Sequence, residues 1–199
     1  AVRLLREAFE EDENVRIVMS TLEGNEDGRP SNEGTTKPRE WWITKLRDLG
    51  GNLDSYKKKG GIFVGINPMT ARGSKDEHVT KYRHVLVEFD HIPTLEEQWN
   101  LICEAKLPCT AVISSGNKSL HAWVRVDAKN LAEYEQRRKL LFDHLADHVD
   151  PANANPSRLS RLPNAMRFDS RQELYALKTG AKSWQDFEAQ IQAEAIGNR

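Results

Sequence analysis

The stretch HVLVEFDHIP, residues 84–93, decides the fold. It reads as a buried strand that ends in two carboxylates. Strand side chains alternate between faces, so Val85, Val87 and Phe89 point into a core and Glu88 and Asp90 share the other face. Two adjacent carboxylates repel each other, which costs stability unless a cation lies between them. Carboxylate oxygens of this kind are good ligands for Mg²⁺ or Mn²⁺. An edge strand running into solvent, with acids marking its end, is the competing reading. The flanking segments decide between the two.

On the C-terminal side the pattern is regular. Thr94 and Glu97 make a capping box for a helix with Leu95, Trp99, Ile102 and Ala105 at helical spacing, ending before Pro108. CTAVIS (109–114) is a strand, SGNKS (115–119) a tight turn, and LHAWVRV (120–126) a strand of clean alternation. Asn130 and Glu133 repeat the cap pattern, and a helix runs on to about His148. ELYALK (173–178) supplies a last strand and Ser183 caps a final helix. The elements from residue 84 onward spell βαββαβ, an RRM-like or ferredoxin-like α+β layer.

On the N-terminal side, residues 3–10 read as a short helix and 14–19 as a strand. Residues 23–37 hold three glycines, a proline and almost nothing apolar, and read as a long mobile loop. Residues 39–49 form a helix that stops at Gly50-Gly51, with Trp41 and Trp42 expected in the core. GIFVGINP (61–68) is a strand closed by Pro68, and 70–80 is a second polar loop. The expected organisation is one domain over 1–199: an N-terminal αβ portion (1–60), an RRM-like core (61–182) and a C-terminal helix (183–199).

Bulk composition narrows the class. The chain has 199 residues, 38% hydrophobic and 30% charged, enough for a sizeable core. A net charge of −1 gives no global pull toward nucleic acid or membrane, so any polyanion site is a local patch. No apolar run is long enough to span a bilayer, and no signal peptide is visible. Cys103 and Cys109 are too few for a disulfide framework and are expected to be two buried thiols, which fits a reducing, cytoplasmic setting.

Chemistry gathers on one face. In LHAWVRV, His121, Trp123 and Arg125 oppose Leu120, Ala122, Val124 and Val126, and with helices covering one side of the sheet the other side is expected to be open. SGNKS offers turn N–H groups, two hydroxyls and Lys118, a phosphate cradle without a Walker pattern. DPANANPSRLSRLPNAMR (150–167) places Arg158, Arg161 and Arg167 among Leu159, Leu162, Pro163 and Met166, and an arginine in a packed segment needs an anionic partner. Acids, a Ser/Lys/His cradle and an arginine cluster are the parts for metal-assisted phosphoryl transfer.

In this order the motifs resemble those of the archaeo-eukaryotic primase (AEP) superfamily, in particular primase-polymerases and RepB-like primases of phages and plasmids. VLVEFD is similar to its acidic motif, with Glu where Asp is commoner; SGNKSLH to its SxH hairpin; NPSRLSRLP (155–163) to a segment of the RepB-like branch; and GINP (65–68) to an upstream strand. The resemblance implies a template-directed DNA primase or polymerase using NTPs or dNTPs on single-stranded DNA, with Mg²⁺ or Mn²⁺, as part of replication and alongside a helicase domain or protein. It implies that Glu88, Asp90 and Asp150 hold metal, with Asp147 competing for the third place, and that His121 joins them as catalytic. Ser115, Lys118, Ser119 and His121 would contact nucleotide phosphates, and Arg158 and Arg161 the triphosphate or template.

Template contact is expected from Arg72, Trp123 and Arg125, with Lys75, Tyr56 and Lys57 to Lys59 as further candidates for charge and stacking. Two other readings stay open: a catalytically silent RRM-like module that binds single strands, and a metal-dependent nuclease of the TOPRIM kind. The first lacks RNP-type aromatic spacing in its central strands; the second pairs an upstream Glu with a later DxD, a different order from this one.

Overall fold

A computed structural model describes residues 1–19, 30, 33–51, 53, 60–152 and 154–198. The chain runs α1 (Val2–Ala8), β1 (Asn14–Val18), β2 (Thr35–Pro38), α2 (Arg39–Asp48), β3 (Phe63–Gly65), β4 (Tyr82–Glu88), α3 (Leu95–Glu104), β5 (Cys109–Ser114) and β6 (Leu120–Ala128). It continues with α4 (Leu131–Leu145), β7 (Leu159–Arg161), β8 (Met166–Arg167), β9 (Ser170–Arg171), β10 (Glu173–Thr179) and α5 (Trp184–Gly197). Three helix starts form where a side-chain oxygen meets orphan N–H groups. Thr94 accepts from the Glu97 N–H, Asn130 from Glu133 and Ser183 from Asp186.

The larger sheet has the order β10-β5-β6-β4, antiparallel throughout. Its two helical crossovers are split: α3 joins β4 to β5 with β6 between them, and α4 leads from β6 toward β10 with β5 between them. The βαββαβ element order is therefore as the sequence indicates. The strand order puts the β5–β6 hairpin in the middle and the carboxylate strand β4 at an edge, unlike an RRM, whose first strand is internal.

A second sheet, β2-β1-β3-β7, draws on both ends of the chain, so β3 and β7 leave the expected 61–182 core to pair with the N-terminal portion. Strand β2 occupies part of the stretch read as a loop; most of the rest of that loop, with Tyr56 and Lys57 to Lys59, lies outside the described residues.

Two apolar cores flank the larger sheet. Val85, Val87, Phe89, Leu120, Ala122, Val124 and Val126 pack with Tyr134, Leu141, Trp184 and Phe187 of the helices on one side. On the other, Leu86, Ala111, Ile113 and Trp123 pack with Leu4, Leu5, Trp42, Ile43, Val15 and Val64. The expected open face is thus corrected: the N-terminal elements cover it. Trp123 and His84 are fully buried because each polar edge is satisfied, His84 by the Ile66 carbonyl and the Thr110 hydroxyl at 2.8 Å each. Trp42 is core as expected, whereas Trp41 stands largely exposed between Lys37 and Lys45. Cys109 is buried and Cys103 is exposed, so only one of the two thiols follows expectation.

Candidate active site

Where the covered face of the larger sheet meets β7, a cleft of about 760 Å³ opens, within the range of small-molecule sites. Glu88, the last residue of β4, lies directly across the ladder from His121 of β6. Asp90 follows in the turn and lines the same cleft, while Phe89 between them is buried in the helical core. The alternation read from the sequence therefore holds past the end of the strand, and both acids face one space.

The free edge of β4 is sealed mainly by the Asn67 side chain, with the Tyr134 hydroxyl also donating to the His84 carbonyl at 3.1 Å. The Asn67 Oδ1 accepts from the N–H groups of Arg83 and His84 at 3.0 and 2.8 Å, and its Nδ2 donates to the carbonyls of His84 and Pro156 at 2.9 and 3.0 Å. A side-chain amide has two donor hydrogens and two acceptor lone pairs, and here all four are used. Asn67 thereby ties GINP to the carboxylate strand and to the loop entering β7.

The SGNKS turn is a hairpin held from inside. Ser115 N–H donates to the Ser119 carbonyl, the two hydroxyls lie 3.2 Å apart, and Gly116 takes the left-handed φ of +72°. Gln98 of α3, fully buried, donates to the Lys118 carbonyl and accepts from the Leu120 N–H at 2.8 and 2.7 Å. Ser115, Asn117, Lys118 and Ser119 all line the cleft.

Strand β7 forms the opposite wall. Arg158 Nη2 donates to Glu88 Oε2 at 2.8 Å, and its buried Nε has no hydrogen-bond partner among the described residues. Arg161 lies with its guanidinium 3.9 Å from the centre of the Phe63 ring opposite it and donates to the Gly60 carbonyl. Burial, then the neighbouring Arg167 charge, draws the Arg161 pKa down to about 9, so it remains a cation at neutral pH. Asp76 anchors the approach to β7, accepting from Asn155 Nδ2 and from the N–H and hydroxyl of Ser157. Burial pushes its carboxyl pKa up, but those bonds outweigh burial and leave it below the usual value.

Between the walls, Ser160 Oγ receives the Trp123 indole N–H at 3.0 Å and lies 3.1 Å from His121 Nδ1. An indole nitrogen only donates, so the Ser160 hydroxyl accepts it, and its own hydrogen is available to Nδ1 when the His121 proton is on Nε2. Glu88 Oε1, a carboxylate oxygen that only accepts, lies 3.4 Å from Nε2 and favours that tautomer. Burial first, then Arg161, lowers the His121 pKa to about 3, and the imidazole is neutral at pH 7. Its approach to Glu88 is a dipolar contact, not an ion pair.

Arg16, Lys118, Arg158, Arg161 and Arg167 line the cleft against the two carboxylates, so the space attracts anions. The structure brings Glu88, Asp90, Ser115, Lys118, Ser119, His121, Arg158 and Arg161 together. It does not bring Asp150, which is exposed and accepts from the Ala152 N–H, nor Asp147, exposed in the turn after α4. Trp123 is core, Arg125 pairs with Asp127 in a different hollow, and Arg72 lies in a third hollow beside Gly73 and Ser74. Asn67, Gln98, Asp76, Ser160 and Arg16 went unassigned in the sequence; only Asn67 and Ser160 lie within motifs quoted there.

Among the described residues no group of three or more His, Cys, Asp and Glu side chains is positioned to hold a metal ion, so the expected three-acid set becomes two. Two carboxylates still suit Mg²⁺ or Mn²⁺, which complete their shells with water and substrate phosphate oxygens. No described helix is long and apolar enough to cross a membrane.

No family model matches the sequence, and no curated protein matches it. The fold matches solved structures along essentially its whole length. The catalytic domain of the primase RepB′, crystallised in complex with initiator DNA, superposes with a TM-score of 0.58 at 16% identity, covering 100% of this chain and 98% of that one. The primase RepB′ gives 0.58 at 15% identity over 98% of this chain and 63% of its own. The AEP domain of the cyanophage S-2L primase-polymerase gives 0.57 at 20% identity over 96% of this chain and 92% of that one. The likeness is one of fold.

Proposed function

We propose that this cleft is the catalytic centre of a template-directed, divalent-metal-dependent nucleotidyltransferase that makes or extends primers on single-stranded DNA from NTPs or dNTPs. One observation carries the reading: Glu88 and Asp90 face five basic side chains across a single cleft, at the meeting of the motifs that resemble those of AEP primases. The fold shared with primase catalytic domains supports it, and the RepB′ domain crystallised with initiator DNA supports a DNA strand as partner.

In this reading Glu88 and Asp90 hold Mg²⁺ or Mn²⁺, which supplies charge stabilisation at the α-phosphate and the leaving group. Lys118, Arg158 and Arg161 bind and orient the triphosphate. His121, neutral and fixed by Ser160, presents its Nε2 proton to a phosphate oxygen. The covered sheet and the Arg161–Phe63 wall exclude water from one side, which strengthens each of these contacts. The 3′ hydroxyl of the strand gives up its proton to solvent water as its oxygen bonds to the α-phosphorus, the bond to the β-phosphate bridge breaks, and pyrophosphate leaves. The protein's share is positioning and electrostatics.

The test is a gel of labelled strand on a single-stranded template with each NTP and dNTP, with Mg²⁺ or Mn²⁺, with and without chelator. Growth that chelator abolishes is the expected result. Shortening of the strand indicates a nuclease, and binding without growth indicates a silent module.

A further inference from the structure

We propose that Phe168, at the tip of the β8–β9 hairpin, is a stacking platform for a nucleobase of a single DNA strand entering the cleft. The assignment rests on the nucleotidyltransferase reading and adds a residue to it.

Phe168 and Asp169 form the two-residue tip between β8 and β9. Phe168 adopts a φ of +53°, a conformation that favours glycine and is an outlier for a bulky side chain. The residue is 44% exposed. Both features run against folding: one strains the backbone, the other leaves an aromatic ring in water. A side chain kept under both conditions points to contact with something outside the fold.

Location identifies the partner. Arg167, the neighbouring residue, lines the cleft and donates from Nη1 to the Ser115 carbonyl at 3.3 Å. Its Cβ lies 3.3 Å from where a Gly116 side chain would begin, so the hairpin leans on the SGNKS turn. The ring itself is not part of the cleft lining; it directly follows Arg167, which is. A flat apolar ring next to cations spaced along a groove is the arrangement that takes bases by stacking and backbone phosphates by charge, without regard to sequence. A strand passing Arg167 meets the ring next to it, while the triphosphate is held by Arg158 and Arg161 in this reading.

The experiment measures anisotropy of a fluorescein-labelled oligothymidylate of about 20 nucleotides, longer than one site of roughly 4–16, without nucleotide or divalent ion. Phe168→Ala and Phe168→Gly are expected to weaken binding roughly 5- to 150-fold, while Phe168→Tyr stays within about twofold of wild type. Phe168→Gly relieves the backbone strain, so its melting temperature should equal or exceed that of Phe168→Ala, which separates lost stacking from lost folding. The nucleotide KM in primer extension is expected to be unchanged. Wild-type affinity in Phe168→Ala and Phe168→Gly overturns the assignment. So does a raised nucleotide KM with undisturbed DNA affinity, which puts the ring on the incoming base. If wild-type protein ignores the oligonucleotide, this assignment falls, while metal-dependent primer extension decides the nucleotidyltransferase reading separately.

Discussion

Arg158 reaches across the cleft from the residue before β7 to Glu88 at the end of β4, 2.8 Å from Nη2 to Oε2. The contact joins the two sheets at the point where a divalent ion and a triphosphate would meet. It occupies one Glu88 oxygen, while the buried Arg158 Nε keeps a donor without a partner among the described residues. Arg158→Ala should therefore separate the two ligands. Nucleotide KM should rise about 10- to 100-fold, the worth of a hydrogen bond to a charged group. Mn²⁺ affinity measured by calorimetry without nucleotide should hold or tighten, because Glu88 is released. Weakened Mn²⁺ binding would contradict this division of labour.

Asn67→Ala tests the seal on β4. Removing the amide leaves two buried N–H groups and the Pro156 carbonyl without their partner, while the Tyr134 hydroxyl still donates to the His84 carbonyl. Each unsatisfied group costs about 1–3 kcal/mol, and partial rehydration makes about 3 kcal/mol a fair total. Urea denaturation should show that loss. A change under about 1 kcal/mol would mean that another group takes over the edge.

Ser160→Ala should release the His121 tautomer. Nitrogen chemical shifts of the imidazole are expected to report an Nε2–H form in wild type and a mixture in the variant. Nucleotide KM should rise while Ser160→Thr, which keeps the hydroxyl, restores it. Removing the hydroxyl also leaves the buried Trp123 indole N–H unpaired, at about 1–3 kcal/mol of stability. An unchanged imidazole spectrum would remove Ser160 from the site.

Acid should destabilise the fold in two stages. Burial, foremost, lowers the His84 and His121 pKa values to about 3, so below pH 6.5 the unfolded chain takes up protons that the folded one refuses until about pH 3. Each histidine then costs ~1.4 kcal/mol of stability per pH unit in that window. Burial pushes Glu13 up, but its bonds to Arg83, the Glu10 N–H and Lys81 bring it to about 2. Its contribution is full above pH 4.5 and fades as pH falls toward 2. Urea midpoints should therefore drop from about pH 6.5 and more steeply below 4.5. His84→Gln should flatten the upper limb, and a pH-independent midpoint from 7 to 5 would contradict the burial of both rings.

The sheet-forming alternation of residues 84–89 and 120–126 and the capped helix starts at Thr94, Asn130 and Ser183 were legible because they depend on local spacing. The cover over the second sheet face was not. His121, Trp123 and Arg125 read as an outward row, yet Trp123 is buried, its one polar atom bonded to a serine 37 positions away. Strand β7, three residues long, is too short to show a period. Asp150 precedes the arginine segment in sequence, but its carboxylate turns back to the Ala152 N–H, a local bond that motif order cannot reveal. Asn67 seals β4 through a side chain, which leaves no mark in hydropathy.

Labelled-nucleotide incorporation with Mn²⁺ on a primed single strand, comparing wild type with Glu88→Ala and Asp90→Ala, tests the central claim most directly. Both side chains lie at the cleft and outside the apolar cores, so circular dichroism and melting temperature should stay near wild type. Incorporation should fall at least about 100-fold in each variant, the scale of a lost charge-stabilising contact. Extension at wild-type rates by either folded variant would contradict the account.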